Sequence, residues 1–73
     1  MPANGLTPRE HEVLAAMAQG LTNQGIAHRL GLRRQTVNNY SSQIYRKLGV
    51  RSRVEAVLLA ERRGWLRDKG GFR

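Results

Sequence analysis

Three segments, Thr7-Pro8-Arg9-Glu10, Thr22-Asn23-Gln24-Gly25 and Ser52-Arg53-Val54-Glu55, put a hydroxyl residue where a helix can begin, and glycines at 20, 31 and 49 stand where helices can stop. A Ser or Thr hydroxyl accepts a free N–H of the first turn, a Glu three residues on can reach back, and glycine adopts the left-handed conformation that ends a helix. This punctuation cuts the chain into short helices. No run shows the two-residue alternation of a strand, so an all-α fold is expected.

The first helix has a capping box at Thr7 and Glu10, with Pro8 at the first helical position, and should bury Val13, Leu14 and Met17 before stopping at Gly20. Thr22 can cap a second helix carrying Ile26, Ala27 and Leu30 and ending near Gly31. Its weak point is Gly25, which replaces a box-completing Glu and costs about 1 kcal/mol of propensity against Ala. A short GLRR turn then leads to a third helix, about 34 to 47, ended by Gly49. A second capping box, Ser52 with Glu55, opens a fourth helix reaching about Arg63 or Gly64, after which Trp65 and Leu66 should fold back on the core. The expected organisation is a lead-in over 1–5, one domain over 6–66 and a frayed tail over 67–73.

At 73 residues there is room for one modest core and not for a multi-step active site. Without cysteine there is neither a disulfide framework nor a thiolate metal site, which fits a reducing, cytoplasmic setting. Apolar runs such as AVLLA fall far short of the roughly 20 residues of a membrane span. His11 and His28 lack convergent ligands and read as ordinary surface positions on helices. No nucleophile triad or phosphate loop is visible, so neither enzyme, metal nor cofactor is expected. Asn39-Tyr40-Ser41 matches a glycosylation sequon only by accident in an intracellular helix.

The net charge of +8 is unevenly placed. From Val13 to Val54 there is no carboxylate, while Arg29, Arg33, Arg34, Arg46, Lys47, Arg51 and Arg53 fall there. Such one-sided charge is the footprint of a polyanion binder, because each cation near a phosphate releases a condensed counterion.

The third helix carries Asn38, Asn39, Ser41, Ser42 and Gln43, residue types that compete with the helical backbone. On a wheel of about 100° per residue, Val37, Ser41, Ile44 and Leu48 form the buried stripe, and Gln35, Asn38, Asn39, Ser42 and Arg46 centre on the opposite face. Short amides and hydroxyls there suit base edges: Asn and Gln can pair bidentately with adenine, and Ser can donate or accept. Arg34, Arg46, Lys47, Arg51 and Arg53 would hold phosphates and set the register. With a short helix and a tight turn before it, this is a helix-turn-helix pattern.

LTPREHEVLAAMAQGLTNQGIAHRLGL followed by TVNNYSSQIYRKLGVRSRVEAVLLA resembles the DNA-binding domain of LuxR/FixJ-type transcription regulators, over residues 6 to about 66. The resemblance rests on LTPRE, Gly20 with Thr22-Asn23, IA before RLG, Thr36-Val37, Ile44, the KLGV at 47–50, and Arg53 with Ala56. It implies a four-helix fold, a recognition helix in the major groove of double-stranded DNA, and a homodimer formed through the last helix. It also implies base contacts by Asn38, Asn39 and Ser42, with Asn23, Thr36, Lys47 and Arg53 as phosphate contacts or supports for them. Three departures stand out. Arg33 replaces the usual Ser or Thr cap and adds attraction for phosphate, Gly25 replaces a common Glu, and Tyr40 replaces a frequent His, with its hydroxyl open to a phosphate or its ring to packing.

In the fourth helix Ala56, Leu59 and Ala60 form one apolar stripe, and Val54, Val57 and Leu58 another. The first is expected to close the core and the second to meet a second copy, giving two recognition helices about 34 Å apart on an inverted repeat. Two other readings share these features. A sigma-factor-like promoter-recognition domain would add RNA polymerase as partner, and a helical protein-interaction module would bind DNA without steep salt dependence.

Overall fold

The computed structural model describes residues 5–66, and the tail after Leu66 and most of the lead-in lie outside them. Among the described residues there are four helices and no strand: α1 (Pro8–Ala18), α2 (Asn23–Leu30), α3 (Arg34–Leu48) and α4 (Arg53–Arg62). The caps fall where the hydroxyls predicted. Thr7 accepts from the N–H of Glu10 and the Glu10 carboxylate accepts from the N–H of Thr7, at 3.1 and 2.9 Å. Thr22 accepts from Gly25 at 3.0 Å. Gly31 and Gly49 end α2 and α3 at φ 71°, in the left-handed region where a side chain would be strained.

Two local expectations need correction. At Ser52 the box is only half formed: its hydroxyl accepts from the N–H of Glu55, but the Glu55 carboxylate accepts from Arg51 instead of reaching back to Ser52. Helix α3 runs one residue beyond the expected 47, and α4 stops one or two residues short of the expected Arg63 or Gly64.

Leu6, Val13, Leu14, Ala16, Met17, Ile26, Ala27, Val37, Ile44, Ala56 and Ala60 form the core, drawn from all four helices and the segment before α1. Trp65 and Leu66 pack against it after α4 ends, as expected. The stripes of α4 differ from the expected pair. Ala56 and Ala60 are fully buried, but Val57 also turns to the core, while Val54 and Leu58 remain outside. Val57 therefore belongs in part to the inner face, and Leu59 is only half-buried. His11 also departs from a plain surface position: it is half-buried, and its Nδ1 is out of reach of solvent without a hydrogen-bond partner. His28 is exposed.

Candidate nucleic-acid interface

The link between α2 and α3 is three residues long. Gly31 reverses the chain, the Leu32 N–H closes on the Ala27 carbonyl at 2.8 Å, and the Leu32 side chain packs on the core. Arg33 is the N-cap of α3 but makes no side-chain capping bond, so its guanidinium is exposed rather than spent on the helix start. A short helix followed by a tight turn and a longer helix is the helix-turn-helix arrangement.

Helix α3 buries Val37, Ser41 and Ile44, and Leu48 is half-buried. Its far side therefore faces out. Gln35, Asn39, Ser42, Gln43 and Arg46 are exposed there, with Arg34 beside them, and Asn38 and Thr36 are half-buried at the edge nearer the body. No carboxylate lies on α2 or α3.

Asn38 and Asn39 both have side-chain partners. Asn23, the first residue of α2, donates from Nδ2 to Oδ1 of Asn38 at 2.7 Å, and Gln35 donates from Nε2 to Oδ1 of Asn39 at a longer 3.4 Å. Asn23 is thus held against a side chain of α3, fifteen residues along the chain.

Two cations expected near phosphate already have protein partners. Lys47 donates to Glu10 Oε1 at 2.8 Å and, at 3.4 Å, to the Gly5 carbonyl. Arg53, half-buried at the start of α4, donates to the carbonyls of Met17 and Leu21 and so fastens α4 to the end of α1 and the loop after it. Burial pushes the Tyr45 phenol above its ordinary range, with the Arg53 charge opposing. Arg33, Arg34, Arg46 and Arg51 are exposed. The Tyr40 ring packs against the core. Sequence reading missed Glu10 as more than a capping residue, since its partner lies 37 residues away.

Among the described residues no group of His, Asp or Glu is gathered to hold a metal, and no helix is long and apolar enough to cross a membrane.

Residues 4–60 match the family described as bacterial regulatory proteins, luxR family. The chain is 43% identical over 65 residues to the transcriptional regulatory protein DesR of Bacillus subtilis (strain 168), covering 89% of this chain and 33% of DesR. It is 50% identical over 58 residues to the probable transcriptional regulatory protein SgaR of Hyphomicrobium methylovorum, covering 80% of this chain and 28% of SgaR. Its fold is similar to that of the response regulator ChrA of a heme-sensing two-component system, with a TM-score of 0.78 and 36% identity over 86% of this chain and 31% of ChrA. The chain thus spans about a third, or less, of the length of these relatives.

Proposed function

We propose, from the premise that this chain belongs to the luxR family of bacterial regulatory proteins, that it binds double-stranded DNA sequence-specifically, as a transcriptional regulator or the output domain of one. What supports this above all is the outward face of α3. Its amides and hydroxyl lower helix propensity, lie away from the core, and are ringed by exposed arginines with no carboxylate on the helix.

In this reading Gln35, Asn38, Asn39 and Ser42 meet base edges in the major groove. Arg33, Arg34, Arg46 and Arg51 hold phosphates, with Thr36 at the helix start beside them. Lys47 and Arg53 act as supports, because their charged groups already have partners within the chain, although Lys47 itself is exposed. Asn23 acts through Asn38. A second copy docks on the outer face of α4, through Val54 and Leu58 with Val57 at the edge, and the dimer reads an inverted repeat.

Selection of bound sequences from a random DNA pool tests this directly. An enriched motif, an affinity that falls steeply with salt, and loss of discrimination in Asn38→Ala are the expected results. The expected cost of Asn38→Ala on the selected site is about 1–3 kcal/mol. Equal weakening on selected and random DNA would remove Asn38 as a base reader, and the absence of any enriched motif would reject sequence-specific binding.

A further inference from the structure

The bond from Asn23 to Asn38 has a direction, and direction is information at a base edge. A carboxamide presents an acceptor at one end and donors at the other, and a free Asn can turn either end outward. Here Asn38 Oδ1 is taken by Asn23 Nδ2 at 2.7 Å in a part-buried position. Asn23 has a reason to point its own nitrogen that way. It is the first residue of α2, where the helix start carries positive partial charge and unsatisfied N–H groups, which favour its oxygen on the helix side and leave Nδ2 to reach across. The oxygen of Asn39 is engaged in the same sense by Gln35, at longer range.

We infer that Asn23 is a specificity-determining residue that acts through Asn38: it locks the Asn38 amide with Nδ2 toward the groove, so that Asn38 reads an acceptor on its base and disfavours cytosine. The major-groove acceptors are purine N7, guanine O6 and thymine O4, whereas cytosine presents the N4 amine, a donor facing a donor. This rests on the proposal that α3 enters the major groove, and it adds which hydrogen-bonding class one position of each half-site must present. Asn23 is a positioning residue and need not touch DNA. Its influence is confined to the base that Asn38 faces.

Pool selection with four proteins tests it: the unaltered chain, Asn38→Ala, Asn23→Ala and Asn23→Asp. Asn38→Ala identifies the position read by Asn38, as the one where the preference flattens. At that position the unaltered chain should select against cytosine by roughly tenfold, the scale of one good base contact. Asn23→Ala should flatten the same position and leave the others as they were. Asn23→Asp is the decisive variant. A carboxylate can only accept, so Asn38 must offer it Nδ2 and turn Oδ1 to the groove, and the preference should invert at that position alone, with guanine and thymine losing ground to the donor-bearing cytosine and adenine. Overall affinity should drop with the added negative charge, but the inversion is read within one protein's selected pool and is independent of it. A merely structural role for Asn23 would weaken every position together. An unchanged preference in both Asn23 variants, or changes at a position other than the one Asn38→Ala marks, overturns the inference while leaving DNA recognition by α3 intact. An unaltered chain that enriches no motif would instead sink the underlying functional proposal, and the inference with it.

Discussion

Lys47 Nζ stands 2.8 Å from Oε1 of Glu10, whose residue is only 5% exposed, and the pair ties the last turn of α3 to the first turn of α1. The same carboxylate caps α1 through the Thr7 N–H, so one side chain closes a helix start and a helix packing contact together. Removing the cation would leave a buried carboxylate with too few partners. Since the Lys47 side chain is 34% exposed and water screens part of the attraction, Lys47→Met should cost about 1–2 kcal/mol, less than the full penalty of breaking a buried pair. Adding Glu10→Gln should recover part of that loss. Urea denaturation of the two single variants and the double variant measures the coupling directly.

The same pair makes stability depend on acid. Burial alone would raise the Glu10 carboxyl, but the hydrogen bond and charge of Lys47, with the bonds from Thr7, bring it below its ordinary value of 4.5. In the window below that value the unfolded chain binds the extra proton first, so stability rises with pH there. The contribution of Glu10 is fully present above 4.5 and is lost as pH falls through the folded value. Thermal melts should show this acid loss in the unaltered chain and a shallower one in Glu10→Gln. Identical slopes would mean that the pair carries no linkage.

Much of this architecture is legible in the sequence because it is local. Thr7, Thr22 and Ser52 lie within three residues of the N–H groups they accept, and Gly31 and Gly49 end helices by their own backbone freedom. The inner stripe of α3 follows from the helical period alone. What joins distant segments is not legible that way. Lys47 reads as one more phosphate-facing cation until Glu10 appears beside it, and Arg53 likewise until one carbonyl from the end of α1 and one from the loop after it appear beneath it. Asn23 reads as a phosphate contact or a support for one, and its bond to Asn38 does not show in the sequence at all. Helix α4 is apolar on several sides, so a wheel fixes the angles between its residues but not which direction meets the core. That is why Val57 lies further in than the periodicity indicates.

Ser41 separates two explanations for the polar residues of α3. It is buried on the inner stripe, and its hydroxyl has no hydrogen-bond partner, so base recognition does not account for it. An unpaired buried hydroxyl loses its bonds to water without replacement, and Ser is also a poorer helix former than Ala. Ser41→Ala should therefore stabilise the domain by about 1 kcal/mol, or about 4–8 °C in Tm, with DNA selectivity unchanged. A destabilised variant would show that the hydroxyl has a partner in solution.

Val54 and Leu58, one turn apart on α4, are 65% and 50% exposed, whereas Ala56 and Ala60 on the same helix are fully buried. Scattered exposed apolar residues are ordinary on a protein surface, so exposure alone does not make an interface. If α4 pairs two copies as proposed, the consequence for DNA binding is specific, because a symmetric contact sets the same patch of each copy against its counterpart. Leu58→Arg puts like charges together across such a contact and leaves the core untouched. The expected outcome is an unchanged monomer Tm and unchanged affinity for a single half-site, with cooperative occupancy of an inverted repeat reduced about tenfold or more. Footprint titration on full and half sites measures both quantities. Undiminished cooperativity in a folded Leu58→Arg protein would move the dimer contact away from this face of α4.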